Sequence, residues 1–322
     1  MNPDDSTAVV RSYAKVNLTL DVLGKRPDGF HDIESVMQTI SMHDTLTLGL
    51  GGEPGIRLTC DMPGIPTDES NLAHRAAVLF FEALGVELRL DVHVEKRIPP
   101  QAGLGGGSSN AAAVLRGLSQ LFEQDEGSKF KVQSSKFNES ETLNLEPSTL
   151  NHLAARIGSD VPFFLTGGTA FVRGRGEVVE PLPDVGPWWL VIVKPPFGIS
   201  TAWAYQRLDG MRAAVSSQQS AVSELETASE RIRKCIEAGD FRLLPRLLSN
   251  DLEAPAFERH PELPKLKDAL ADAGALGALM CGSGSAVFGL FDNKEAATRG
   301  AEHLGSFGES FVAKTISRFP GE

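Results

Sequence analysis

The run Pro99-Pro100-Gln101-Ala102-Gly103-Leu104-Gly105-Gly106-Gly107-Ser108-Ser109-Asn110-Ala111-Ala112-Ala113 constrains this chain more than any other stretch. Its glycines and serines lead into a helix expected over 111–122, with Val114, Leu115, Leu118 and Leu121 on an apolar stripe. Glycine removes the Cβ that would hold a ligand off the backbone. Ser108, Ser109 and Asn110 are residue types that cap a helix start. The first turn of a helix leaves N–H donors free and carries partial positive charge, so an anion is stabilised there. Before the run, Val86, Leu88, Leu90, Val92 and Val94 alternate with polar residues, the pattern of a strand that anchors the loop. Together these features describe a phosphate-binding turn.

The residues after the glycines narrow the class of phosphate site. A Gly-Lys-Ser/Thr nucleotide loop is excluded, because no lysine comes next. Gly103-Leu104-Gly105-Gly106-Gly107-Ser108 comes close to the dinucleotide fingerprint, which wants an acidic residue at a second strand end about 20 residues on. Glu123 stands near that spacing but opens a polar stretch without strand character. A glycine-rich turn without any ligand is the bland alternative.

At 322 residues the chain is long enough for two domains or one large one, with ample core. Its net charge of −11 argues against a nucleic acid or an anionic membrane as partner, since either would want a basic face. Cys60, Cys235 and Cys281 are scattered and outside metal-ligand spacing, so they read as free thiols in a reducing compartment. His43, His74, His93, His152, His260 and His303 show no ligand spacing either, and no metal site is expected. The segment Met1-Asn2-Pro3-Asp4-Asp5 is acidic and without an apolar core, so neither a signal nor a transit peptide is expected. With no apolar run long enough to span a bilayer, the expected location is the cytoplasm.

Along the chain, Ala14, Val16, Leu18, Leu20 and Val22 alternate with Tyr13, Lys15, Asn17, Thr19 and Asp21, which predicts a half-buried strand over 12–22. Lys15 and Asn17 then share the face opposite the core. After a turn-rich loop at 24–29, strands are expected at 35–40 and 45–50, and a helix at 71–84 that Gly85 stops. Residues 123–147 are rich in Ser, Glu, Lys and Asn and read as a surface insertion. A helix over 148–157 ends at Gly158, leading into Gly158-Ser159-Asp160-Val161-Pro162-Phe163-Phe164. Further on, strands are expected at 169–173, 188–193, 286–291 and 310–317, with helices at 223–237, 241–248 and 263–273. Interleaved helices and hairpins make the class α+β, with domains at 1–185 and 186–322.

Several segments are odd for plain structure and occur together: Ala14-Lys15-Val16-Asn17-Leu18, Gly29-Phe30-His31 with Gln38, the 99–112 loop, the Asp160 segment, and Gly282-Ser283-Gly284-Ser285-Ala286-Val287-Phe288. In this content and order the chain resembles the GHMP small-molecule kinase superfamily, and within it the branch that acts on a diphosphocytidyl-linked methylerythritol. The resemblance implies a two-domain GHMP kinase fold, with ATP and substrate in a cleft between the domains. It implies transfer of the ATP γ-phosphoryl group to the 2-hydroxyl of 4-diphosphocytidyl-2-C-methyl-D-erythritol, in non-mevalonate isoprenoid biosynthesis, by a monomer or weak homodimer.

The resemblance also distributes roles. The 99–109 loop would hold the ATP phosphates, with Asn71, Lys96 and Arg97 near the adenine, although Lys96 and Arg97 read equally well as a solvated strand end. Magnesium would be held by phosphate oxygens, water and a loop serine. Asp160 would accept or orient the hydroxyl proton, and Lys15 would stabilise negative charge on the transferred group. Asn17 would hold the alcohol or Asp160 in line. Phe30 and Tyr205 would sandwich the cytosine, His31 would bond its edge, and Thr201 would lie nearby. The family usually carries Tyr where this chain has Phe30, so the ring face is kept and a hydroxyl is lost. The 282–285 turn would pack against the phosphate loop. Taken singly, Lys15 is a solvent-facing charge, Asp160 a turn residue, and Phe30, His31 and Tyr205 ordinary packing groups. Their ordered co-occurrence separates them from that background. Rival readings are another GHMP kinase acting on mevalonate, homoserine or a sugar, and a non-catalytic nucleotide-binding relative.

Overall fold

A computed structural model of the chain describes residues 6–123, 147–216 and 226–318. Apart from its two end positions, the surface insertion expected at 123–147 lies outside the described residues. So do the first residues of the helix expected at 223–237. The chain forms two compact units, each assembled from separate segments. The first comprises Met1–Tyr13, His43–Ile98 and Gly106–Leu165; the second comprises Ala14–Met42, Pro99–Gly105 and Thr166–Glu322.

In the first unit, strands β1 (Thr7–Lys25) and β2 (His31–Leu50) each contribute one end, beside β3 (Gly55–Cys60) and β4 (Arg89–Glu95). β4 runs antiparallel to β2, with Thr45 facing Glu95 and Leu50 facing Leu90, and parallel to β3. Its alternation puts Leu90, Val92 and Val94 into the core with Leu46 and Leu48 of β2. Helix α1 (Leu72–Leu84) begins where the Asn71 side chain accepts from the Ala73 N–H, and it ends at Gly85 with φ of 64°. Phe80 and Phe81 on α1 meet Phe122 on α2 (Gly106–Glu123). α2 in turn lies so close to the sheet at Gly117 that a Cβ there would stand 2.3 Å from Leu48. Helices α3 (Pro147–Ile157) and α4 (Val161–Thr166) complete this unit.

Three expectations for this region need correction. α2 begins at Gly106 rather than near residue 111. Ser108, Ser109 and Asn110 are therefore inside its first turns and not caps. Ser109 and Asn110 turn inward to bond buried groups, which satisfies them better than capping would. The strands expected at 35–40 and 45–50 are one continuous β2. β1 is buried on both faces from Ser12 through Leu20, not half-buried. Alternation reports polarity, and here the polar face is covered as well.

The second unit contains the remaining ends of β1 and β2, joined by β5 (Thr169–Gly174) antiparallel to β2 and β6 (Val178–Pro181) antiparallel to β5. It also holds a four-stranded antiparallel sheet, built from β7 (Trp189–Lys194) and three strands from later in the chain. Helix α5 (Thr201–Ser216) had no signal in the sequence, because its apolar residues do not gather on one face. Next come α6 (Ala228–Glu237), a 3-10 turn at Phe241–Leu243, α7 (Leu244–Leu247) and β8 (Ser249–Asn250), which pairs parallel with β1. Then α8 (Glu253–Arg259), α9 (Glu262–Asp272), β9 (Gly277–Met280), β10 (Val287–Phe291), α10 (Lys294–Glu302) and β11 (Glu309–Lys314) close the chain. The sheet order is β11-β7-β10-β9. Val191 and Val193 of β7 share one buried cluster with Leu263, Leu266 and Leu270 of α9. All three cysteines are free thiols, as expected. Among the described residues, no helix is long and apolar enough to cross a membrane.

Candidate active site

Within the second unit, Lys15 is held where β1 passes the glycine loop. Its backbone N–H donates to the Leu104 carbonyl at 3.1 Å. Its side chain, 3% exposed, donates from Nζ to Asn17 Oδ1 at 2.5 Å. The Asn17 amide donates onward to Ser35 Oγ at 2.8 Å, and Ser35 donates to the Thr19 carbonyl at 2.5 Å. Residues two apart on a strand share a face, so β1 itself sets Lys15 beside Asn17. Both polar ends of the Asn17 side chain are engaged this way, which makes Asn17 a tether for the ammonium.

The second glycine turn closes over the same spot. Gly103 has φ of 76°, and a Cβ there would overlap the Cys281 carbonyl oxygen at 1.8 Å. Ala286 N–H donates to the Ala102 carbonyl at 3.3 Å, and Ser285 N–H to that of Gln101 at 3.4 Å. A Cβ on Gly282 would lie 3.2 Å from both the Gly103 carbonyl and Lys15 Nζ. The two turns thus pack backbone on backbone, as expected for 282–285, and the ammonium sits at their junction. Cys281 shares this site. Complete burial pushes its thiol up to about 12, against a small opposing pull from the Lys15 charge. Gln101 is the non-glycine residue with a left-handed φ, 52°, among those described. Its side chain fills the space a Cβ on Gly198 would need.

The rest of the loop belongs to the first unit. There the glycines serve packing as much as ligand access. A Cβ on Gly106 would stand 2.9 Å from Lys96 Nζ and 3.0 Å from Ile98, whereas one on Gly107 would meet only Leu72 at 3.9 Å. Lys96 is buried and paired with Asp44, which is fully buried. Asp44 also accepts from the Arg97 and Ile98 N–H groups at 2.7 and 2.8 Å, and from the Asn110 amide at 2.9 Å. Asn110 donates to Ser12 Oγ and Ser12 to Ser109 Oγ, each at 2.8 Å. A buried anion this well satisfied locks the start of α2 onto the end of β4. Arg97 instead lies at the surface against Asp61. Asn71 is engaged as the cap of α1, with its amide donating to the Pro66 carbonyl at 2.6 Å.

Asp160 occupies the turn between α3 and α4, where the Val161 N–H donates to the Gly158 carbonyl at 3.2 Å. Its side chain is partly exposed.

The aromatic residues of the second unit that were expected at the base each have a protein neighbour. Phe30 is 48% exposed, with the Arg175 guanidinium 5.2 Å from its ring centre. The ring against Tyr205 is His31, with centroids 4.8 Å apart. His31 Nε2 lies 2.8 Å from Asp209 Oδ1. Thr201 Oγ1 is 2.8 Å from Ser283 Oγ, which ties the start of α5 to the second glycine turn. Asp44, Cys281, Arg175 and Asp209 carried no sequence signal, since each gains its role from a partner distant in the chain. Among the described residues, no group of three or more His, Cys, Asp or Glu converges as a metal cage. Hard cations carried on phosphate oxygens do not require one.

Two family models match the chain: GHMP kinases N terminal domain over residues 71–168, and GHMP kinases C terminal over 232–310. A curated relative from Synechococcus sp. (strain JA-3-3Ab), called 4-diphosphocytidyl-2-C-methyl-D-erythritol kinase, is 42% identical over 90% of this chain and 87% of its own. A relative of the same name from Geobacter metallireducens is 38% identical over 94% and 96%. The crystal structure of a 4-(cytidine 5'-diphospho)-2C-methyl-D-erythritol kinase superposes with a TM-score of 0.73 at 32% identity, covering 96% of this chain and 99% of that one. Mevalonate kinase from L. major, at 20% identity and a TM-score of 0.71, shares the fold.

Proposed function

The chain belongs to the GHMP kinases and, within them, to the 4-diphosphocytidyl-2-C-methyl-D-erythritol kinases, and on that premise we propose that Lys15, Asp160 and the glycine loop carry its phosphoryl transfer. The reaction moves the ATP γ-phosphoryl group to the 2-hydroxyl of 4-diphosphocytidyl-2-C-methyl-D-erythritol and releases ADP. The observation that carries the residue assignment is the buried Lys15 ammonium at the junction of the two glycine turns.

Phosphoryl transfer asks for alignment of oxygens and neutralisation of charge more than for covalent help from the protein. The first turn of α2 offers unpaired N–H groups and a positive dipole end to the ATP phosphates. Gly107 leaves open space beside them. Lys15, desolvated and tethered by Asn17, presents a fixed positive charge that gains strength in a low-dielectric setting. Asp160 takes or steers the proton of the substrate hydroxyl. Magnesium would be held mainly by phosphate oxygens and water, with Ser108 as the loop hydroxyl, because the Ser109 hydroxyl is bonded to Ser12. When bound, it neutralises phosphate charge. Phe30 and Tyr205 offer ring faces to the cytosine, and His31 an edge partner.

The family matches at 71–168 and 232–310 fall on either side of a domain division near residue 185. Unpaired thiols support a reducing compartment, the cytoplasm. Following ADP release with ATP and each candidate alcohol tests the reading. Turnover is expected with the cytidyl substrate and not with mevalonate, homoserine or a sugar; the reverse pattern would overturn it.

A further inference from the structure

His31 opens β2, and its ring is enclosed by Tyr205 and by Asp209 of α5. Asp209 Oδ1 stands 2.8 Å from His31 Nε2, and its other oxygen is 3.6 Å from Lys25 Nζ. The His31 side chain is 9% exposed, whereas that of Asp209 is 31% exposed. An ionised carboxylate only accepts, so Nε2 must carry the hydrogen between them. In a neutral imidazole the other nitrogen, Nδ1, is then an acceptor. Lys25 adds a positive charge beside the other Asp209 oxygen. Among the described residues the structure gives Nδ1 no hydrogen-bond partner.

We propose that Asp209 is a positioning residue that fixes the His31 tautomer and so selects the base of the substrate. The inference rests on the reading that His31 faces the base edge. An Nδ1 acceptor matches a base whose edge offers an N–H donor, such as the 4-amino group of cytosine. It is mismatched to uracil, which offers a carbonyl oxygen at the same position. Ring stacking cannot make this distinction, because every base has a π-face. The selection therefore falls to a hydrogen-bond polarity, and a residue that need not touch the base sets it. Outer carboxylates orient metal-ligating histidines by the same means, and their loss typically weakens the site 10–100-fold.

The test joins a spectroscopic and a kinetic readout. In 15N-labelled protein, at a pH where the imidazole is neutral, His31 is expected to show hydrogen on Nε2. Hydrogen on Nδ1 would overturn the proposal without any variant being made. In Asp209→Ala the tautomer preference is expected to be lost. KM for the cytidyl substrate should rise about tenfold or more, while kcat and KM for ATP hold. The ratio of cytidyl to uridyl turnover, measured with the uridine diphosphate analogue of the substrate, should fall with it. An unchanged ratio would overturn the proposal even if stability drops. Absence of ADP release from the wild-type protein with the cytidyl substrate would instead remove the functional reading beneath it.

Discussion

Gly103 and Cys281 meet backbone to backbone, with room for no side chain at residue 103: a Cβ there would stand 1.8 Å from the Cys281 carbonyl oxygen. Gly103→Ala is therefore expected to fail twice. A left-handed φ strains any L-residue by about 1–2 kcal/mol, and the overlap falls on backbone that has no rotamer to yield. The expected result is a lowered Tm and ATP binding weakened at least about tenfold, roughly 1.4 kcal/mol. Gly49→Ala, where a Cβ has nothing within 4 Å, is the tolerated control. Equal ATP affinity in both variants would contradict a role for this packing in shaping the phosphate loop.

Lys15 and Asp160 are expected to act on one event, the charge shift as the phosphoryl group moves. Asp160→Asn should lower kcat by about 10²–10⁴, the usual worth of a positioned acid–base group, with ATP affinity nearly unchanged. Lys15→Met should lower kcat similarly, and the double variant should fall short of the product of the two. Near-normal turnover in Asp160→Asn would remove it as base or orienter.

Phe30 is half exposed, and a guanidinium lies across its ring. Its truncation costs the core little. Phe30→Ala should weaken the cytidyl substrate by about 1–3 kcal/mol, the value of one base–aromatic stack, and leave ATP alone. Calorimetry with each ligand decides it: equal losses for both would mean that Phe30 supports the fold and not the base.

Asp44 is the acceptor on which Lys96, Asn110 and two backbone N–H groups converge. Breaking a buried pair from one side leaves an uncompensated charge, at about 3–5 kcal/mol. Asp44→Ala is expected to lose that much in urea unfolding. A loss under about 1 kcal/mol, the surface-pair range, would show that Lys96 finds water there.

Cys281 supplies a pH prediction. Burial raises its thiol from 9.0 to about 12, so between those values the unfolded chain has released a proton that the folded chain keeps. The unfolded state then binds fewer protons, and stability falls as pH rises, by about 1.4 kcal/mol per pH unit from this group. The contribution is fully present below pH 9 and lost as pH rises toward 12. Urea midpoints for wild type and Cys281→Ala across pH 8 to about 10.5 should converge as pH rises. Parallel curves would show that the thiol does not titrate as its burial requires.

How far the residues themselves announce all this varies by element. Helix α1 was legible at its end, because Gly85 is a local stop signal whose chemistry needs no distant partner, while Asn71, expected as its first residue, is its cap. α2 was legible in kind but not in origin, since glycine tolerates both turn and helix and only its neighbours choose. α5 was not legible, lacking a one-sided apolar stripe. At the site, Lys15, Asn17 and the two glycine turns stood out, whereas Asp44 and Asp209 did not.

The order of residues alone determined to which family the chain belongs and which segments are proposed for its chemistry, because the motifs that carry the resemblance are local runs of a few residues. Only the tertiary structure decided that Lys15 lies buried against Asn17, that Gly103 must be bare to admit Cys281, and that Lys96 is paired with Asp44 rather than solvated. These depend on which backbone stacks on which across long separations in the chain. Burial, and with it the strength of every charge, is a property of that stacking.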